Sequence, residues 1–202
     1  MSKRSSKPKH TRNTVRIIAG RFRGRLLHFD DHQGLRPTPD RVRETLFNWL
    51  QTKVQGARCL DLFTGSGVLA VEACSRGAKA VVALDLNRNL LNELRQQIQR
   101  LPDCVVELVN ADAMQYLHHE QNTTSSGQFN IVFVDPPYQS ELLIPILTRL
   151  VQSACLAPNA LVYFESNHPV DENQLPKSMD VVKQKRAGQV YYYLAQYPAV
   201  TA

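Results

Sequence analysis

The stretch "ARCLDLFTGSG", residues 57–67, joins a short apolar run to an acid, Asp61, and then to two glycines one residue apart. An apolar run of this length suits a strand that stops at the acid. Gly65 and Gly67 let backbone approach a ligand closely, and the helical pattern that follows offers N-terminal N–H groups. The unit recurs along the chain as "AVVALDL" (80–86), "CVVELVNAD" (104–112), "NIVFVDPP" (130–137) and "ALVYFES" (160–166). Helical patterns over residues 69–76, 88–101, 113–119 and 142–154 alternate with these runs. Two further strands are expected at 180–185 and 188–196, where Tyr191, Tyr192 and Tyr193 fit the aromatic preference of strands. Strand–helix alternation of this kind predicts an α/β fold of the Rossmann-like type. Its sheet is mostly parallel and seven-stranded, with helices on both faces.

An acid closes each of the first four strands: Asp61, Asp85, Asp112 and Asp135. They are separated by 24, 27 and 23 residues, about one strand–helix unit each. Parallel strands end on one edge, so the four carboxylates should gather around a single crevice, where open α/β sheets bind ligands. One such Asp is most simply a turn residue or a helix cap. Four in register point to a site.

The first loop narrows the ligand. No lysine follows its glycines, which excludes the P-loop form. Gly65, Gly67 and Ala70 are compatible with the dinucleotide fingerprint, and Asp85, 18 residues after Gly67, is placed to accept from ribose hydroxyls. Phe63, Thr64, Ser66 and Leu86 belong to the same two loops. On glycines alone, NAD and S-adenosylmethionine cannot be separated.

Charge is unevenly placed. The net charge is +6, but residues 1–43 carry twelve Lys/Arg against three Asp, leaving a body of −3. A basic N-terminal fifth on an acidic body suggests a polyanion-binding arm. In "RIIAGRFRGRLLHF" (16–29) the charges alternate with apolar residues. Segments 15–19 and 26–29 read as a hairpin flanking Arg21, Arg23 and Arg25, which are expected to contact nucleic acid. In "LRPTPDRVRETLFNWLQ" (35–51), Thr38 is expected to cap a helix with Pro39 at its first position. Val42, Leu46, Trp49 and Leu50 then face the core. Arg36, Thr38, Arg41 and Arg43 are read as covering the pocket or holding RNA. The predicted organisation is a basic tail (1–13), a hairpin and helix extension (14–55) and a main domain (56–202).

The end of the fourth strand breaks the tie over the cofactor. "DPPY", Asp135 to Tyr138, resembles the (Asp/Asn)-Pro-Pro-(Tyr/Phe) signature of class I S-adenosylmethionine-dependent methyltransferases that act on amino nitrogens. "LDLFTGSG" is similar to the cofactor loop of these enzymes. Asp85 resembles their ribose-binding acid, and "NADA" (110–113), with Asp112 and Ala113, their adenine-contacting segment. Over residues 15–197 the chain more closely resembles the RsmD family, through "RIIAGRFRGR", "LRPTPDRVRETLFNWL", "FVDPPY" and "AGQVYYYL". That resemblance implies a guanine-N2 methyltransferase of small-subunit (16S) ribosomal RNA using S-adenosylmethionine. The alternative is an adenine-N6 methyltransferase. In either, Asp135, Pro136, Pro137 and Tyr138 are the expected catalytic group. Ribosomal RNA in the assembled or assembling small subunit is the expected partner, and the protein is expected to be a monomer.

Other classes receive little support. No apolar run reaches the ~18 residues of a membrane span, and "MSKRSSKPKH" lacks the core of a secretory signal, so the cytoplasm is expected. Cys59, Cys74, Cys104 and Cys155 show no CxxC pairing and the six histidines no ligand spacing, so free thiols and no metal are expected. The polar stretch 118–128 reads as a surface loop, and no internal repeat is visible.

Overall fold

The computed structural model describes residues 12–30, 38–118, 127–137 and 141–198. Arg36, Tyr138, nearly all of the basic tail and most of the 118–128 stretch lie outside them. A two-stranded antiparallel hairpin, β1 (Arg12–Arg16) and β2 (Leu26–Asp30), is followed by helix α1 (Asp40–Trp49). The alternating units are β3 (Arg58–Asp61), α2 (Val68–Ser75), β4 (Ala80–Asp85), α3 (Arg88–Ile98), β5 (Val106–Asn110), α4 (Ala113–His118), β6 (Phe129–Val134), α5 (Leu143–Gln152) and β7 (Leu156–Ser166). Strands β8 (Asp180–Ala187) and β9 (Val190–Gln196) close the sheet.

The seven strands lie in the order β5-β4-β3-β6-β7-β9-β8. Strands β3 to β7 are mutually parallel, β9 is antiparallel to β7, and β8 is antiparallel to β9. The mostly parallel seven-stranded fold is therefore observed. Because side chains alternate across a strand, Cys59, Val81, Ala83, Ile131, Phe133 and Tyr163 enter one core layer with α1, α2, α3 and the hairpin. Leu60, Val82, Leu84, Val132, Val134 and Phe164 enter the other, with α4 and α5. The hairpin's Ile17, Phe22, Leu27 and Phe29 share that first layer with Phe47 and Val71. All four cysteines are free thiols, with Cys104 half-buried and the other three buried.

Two details depart from expectation. Thr38 makes no capping bond to α1: Pro39 occupies the N-cap position and Asp40 is the first helical residue. More importantly, Arg43 is not a surface cation, because its side chain is 0% exposed. Arg43 sits on the apolar face of α1, where its Nη2 donates to Asp40 Oδ1 at 2.6 Å and to the Arg16 carbonyl at 2.9 Å. Its Nε donates to the Thr38 carbonyl at 3.2 Å, and its Nη1 lies 3.5 Å from Glu72 Oε2. Glu72, equally buried within α2, also accepts from the N–H groups of Ile18 (2.8 Å) and Ala19 (3.1 Å) and from Arg76 Nε (2.7 Å). One buried ion pair thus fastens the hairpin and the Thr38 segment to the main sheet.

Removing one partner of such a pair leaves a buried charge uncompensated. Arg43→Ala should therefore cost about 3–5 kcal/mol of stability. Arg41→Ala, two residues away and exposed, should change it by less than about 0.5 kcal/mol. Urea unfolding of the two variants checks the contrast, and equal midpoints would refute it.

Candidate active site

The loop after β3 is held from both sides. Leu62 N–H donates to the Phe133 carbonyl of β6 at 3.1 Å, and Thr64 N–H to the Leu84 carbonyl of β4 at 2.8 Å. Gly65 N–H then donates to Asp85 Oδ2 at 2.9 Å, while Asn87 N–H binds Oδ1 at 2.7 Å. Asp85 is oriented by two backbone donors, and carboxylate oxygens retain further acceptor capacity for hydroxyls. Gly67 opens α2 with φ +77°, and a Cβ there would come within 2.4 Å of the Leu94 side chain. Only glycine lets the chain turn so tightly into the helix. The Asn110 side chain donates to the carbonyls of Asp85 and Leu86, both at 2.9 Å, fixing the next loop. Asp112 Oδ1 accepts from Gln115 N–H at 3.0 Å, so Asp112 both caps α4 and faces the crevice.

These loops enclose a cavity of about 290 Å³. Its wall contains Asp61, Phe63, Thr64, Gly65, Ser66, Asp85, Leu86, Asp112, Ala113, Asp135, Pro136 and Pro137, together with Thr38 from the N-terminal extension. The four strand-end aspartates thus meet at one edge. Gly67 shapes the loop without lining the cavity. Leu62, Val68, Leu69, Ala111 and Leu142 complete the wall and carried no separate signal in the sequence.

The other candidate residues lie elsewhere. Arg21 N–H donates to the Ser75 carbonyl at the end of α2, and Arg21 Nη2 to the Asp103 carbonyl before β5, at 2.8 and 3.0 Å. Both partners are at the amino edge of the sheet, so Arg21, Arg23 and Arg25 sit across the molecule from the cavity and do not cover it. Arg41 is exposed on α1, and Arg43 is consumed by the buried pair.

Electrostatics at the carboxyl edge are strained. Asp61 is 1% exposed, and burial pushes its carboxyl up to about 7 from an ordinary 3.8. The Thr64 hydroxyl, donating to Asp61 Oδ2 at 3.0 Å, opposes that rise, and the charge of Asp85 adds to it. Asp135 is partly exposed to the cavity, yet loss of bulk water drives its carboxyl well above the usual range. Glu165 and Asp61 add to the rise in that order. Among the described residues no group of three His, Cys, Asp or Glu could hold a metal ion, and no helix is long and apolar enough to cross a membrane.

The profile of a protein family described as conserved hypothetical protein 95 matches residues 15–196. The chain belongs to this family. "Ribosomal RNA small subunit methyltransferase D" of Escherichia coli strain K12 is 40% identical over 191 residues, covering 94% of each chain. The Haemophilus influenzae protein of the same name is 40% identical over 190 residues, covering 93% of this chain and 96% of that one. The solved structure of yhhF from Escherichia coli matches with a TM-score of 0.79 at 40% identity, covering 93% of this chain and 99% of that one. The kinship implied by the motifs, to the RsmD family, is the one found, and the protein is a methyltransferase.

The cavity fits S-adenosylmethionine as the family's donor. Asp85 offers acceptors for two hydroxyls, and Leu86, 71% exposed at the rim, with Ala113 offers apolar surface for a base. A sulfonium there would favour the ionised forms of Asp61 and Asp135 and so oppose the rise that burial imposes on both carboxyls.

The raised pKa of Asp61 predicts a pH signature in the ligand-free protein. The folded state holds the Asp61 proton more tightly than the unfolded chain, so stability from this group is complete below about pH 4 and lost as pH rises toward 7. Asp61→Asn lacks that loss. Relative to wild type, its stability should improve by up to about 4 kcal/mol between pH 4 and pH 8. Parallel unfolding curves across that range would show that Asp61 titrates normally.

Proposed function

We propose that the protein methylates the exocyclic N2 of a guanine in small-subunit ribosomal RNA, giving N2-methylguanosine. The observation that carries this reading is the presence of Asp135 and Pro136 in the wall of the cofactor cavity, in a chain similar over nearly its whole length to proteins named ribosomal RNA small subunit methyltransferase D.

Bound S-adenosylmethionine supplies an electrophilic methyl group. The protein's task is to turn a poor nucleophile toward it, since the lone pair of a guanine amino group is delocalised into the ring. Two acceptors holding the two N–H hydrogens favour a pyramidal nitrogen with an available lone pair. The Asp135 carboxylate is one, and the Pro136 carbonyl is the other. Pro136 and Pro137 are consecutive, so the backbone here has little freedom to move when the base binds. Positioning of this kind, with fixed dipoles, is where most of the acceleration arises. The desolvation that raises the proton affinity of Asp135 also suits it to take the proton the methylated amine releases. Tyr138 follows in the chain and supplies a face on which a base can stack.

The amino group is hidden in a stacked base, so the nucleotide must leave the stack, which single-stranded or loop RNA permits cheaply. RNA backbone contacts are assigned to two exposed basic regions. Lys183, Lys185 and Arg186 lie on β8, which like β7 is antiparallel to β9, so Arg186 falls toward the same edge as Asp135. Arg21, Arg23 and Arg25 serve an RNA large enough to reach the opposite edge, as an assembling subunit is. The protein acts as a monomer in the cytoplasm.

Purified protein should transfer labelled methyl groups to small ribosomal subunits from a strain lacking the enzyme, and nuclease digestion should release N2-methylguanosine. Asp135→Ala should lower turnover by about 100-fold or more while changing cofactor affinity only a few-fold. N6-methyladenosine as product would replace the guanine reading with the adenine one. Substantial turnover by Asp135→Ala would remove the carboxylate from the mechanism.

A further inference from the structure

The molecule treats two buried carboxylates in opposite ways. Glu72 receives two guanidinium groups, from Arg43 and Arg76, besides the N–H groups of Ile18 and Ala19. Asp61 is as deeply buried, yet no cation among the described residues lies within ion-pair distance of it. Its donors are neutral: the Thr64 hydroxyl at 3.0 Å and the N–H groups of Phe63 and Ala70. The neighbouring strands bring further acids. Asp85 ends β4 on one side, Asp135 follows β6 on the other, and Cys59 lies two residues back on β3 itself. From the N-terminal extension comes only the neutral Thr38, among the described residues.

Asp61 also lines the cofactor cavity, on a wall it shares with Asp85, Asp112 and Asp135. A carboxyl withdrawn from water beside other acids and no cation keeps its proton rather than its charge. Burial accordingly pushes Asp61 up to about 7. Compensation of the kind Glu72 receives from within the fold can reach Asp61 through the cavity. S-adenosylmethionine carries two positive groups, the sulfonium and the ammonium of its amino-acid end.

We infer that Asp61 makes cofactor binding proton-linked: the site takes up S-adenosylmethionine by exchanging the Asp61 proton for the positive charge of the ligand. The carboxyl O–H bond breaks, its electron pair stays on Asp61 as carboxylate, and the proton passes to solvent. The ligand's cation then does for Asp61 what Arg43 and Arg76 do for Glu72. The free site holds the proton below about pH 7, and the loaded site does not. Cofactor affinity therefore rises with pH up to about 7 and levels off above it, by up to roughly tenfold per unit. The inference holds whichever base is methylated.

Titration calorimetry of the purified full chain with S-adenosylmethionine, in two buffers of different ionisation enthalpy, counts the protons released. At pH 6 the ligand's own ammonium is already protonated, since α-amino groups titrate near about pH 8. Wild type should release roughly one proton from Asp61 at pH 6 and almost none from it at pH 8. Asp61→Asn, close in shape, should release roughly one proton fewer at pH 6, keeping only what Asp135 and Asp112 contribute. Its affinity should fall a further 10- to 30-fold or so behind wild type between pH 5.5 and pH 8. S-adenosylhomocysteine keeps the ammonium and lacks the sulfonium. Release of the same proton by both ligands supports the exchange and assigns it to the ammonium, whereas release by S-adenosylmethionine alone supports it and assigns it to the sulfonium. No release by wild type at pH 6 overturns the inference without recourse to any variant. An Asp61→Asn deficit that is constant with pH overturns it too, because a purely structural aspartate would give that result. None of these measurements involves RNA, so they stand or fall apart from the guanine reading.

Discussion

Parallel strands that end together must bring whatever terminates them together, and here they bring carboxylates. Asp61 and Asp135 end adjacent strands, and Glu165 ends the next one along the sheet. Asp61 and Glu165 are buried, Asp135 is partly exposed to the cavity, and Asp135 feels the negative charge of both others. A cluster of this kind is unfavourable as a structural element, because desolvation and repulsion both resist ionisation. Positive charge or N–H donors brought to it would offset that cost. The site is thus complementary to ligands that are present only during catalysis, which is where interactions contribute to rate rather than to resting stability.

The second organising interaction holds the frame steady around that strained edge. Glu72 lies in a helix whose eight residues are all buried, and its two carboxylate oxygens receive donors from Ile18, Ala19, Arg43 and Arg76. Arg43 extends the network to the carbonyls of Arg16 and Thr38. A planar guanidinium with five fixed donors can bridge so many partners, whereas a lysine cannot. Through this network Thr38, which lines the cofactor cavity, is fixed relative to α2, whose first turn lines the same cavity. The N-terminal extension is accordingly part of the frame of the site, while its exposed turn lies at the far edge.

Much of this was legible in the sequence because it follows from periodicity. Apolar runs of strand length, separated by helical patterns, specify a parallel sheet, and Asp61, Asp85, Asp112 and Asp135 then fall at one edge without further information. What failed was reading charge along the chain as charge on a surface. Arg43 lies four residues before Phe47 and seven before Leu50, on the buried face of α1. The matching signal was Glu72, a lone acid in "VLAVEACS". Glu165 was missed because the count of strand-end acids stopped at the fourth strand, although "ALVYFES" carries a fifth. For Arg21, Arg23 and Arg25, nothing in linear charge density says which edge of the sheet a hairpin turn will reach. That depends on the docking of Gly20 and Arg21 against Ser75, a long-range contact with no local signature.

The shared wall of Pro136 and Pro137 ties these observations together. Both residues line the cofactor cavity and a neighbouring cavity, and Asp135, whose carboxyl is raised by loss of bulk water, directly precedes them. A cationic ligand favours its ionised form, and so does an amino group donating hydrogen bonds. Each ligand therefore lowers the cost of the ionised state that the other requires. On the proposed mechanism that benefit is reciprocal by linkage, so binding of either ligand should strengthen binding of the other. Consecutive prolines restrict the backbone beside Asp135, so such coupling would run through the charge of one carboxylate rather than through backbone movement. Loss of bulk water at this position raises the proton affinity of Asp135, and the same environment makes its carboxylate sensitive to any charge or donor placed beside it.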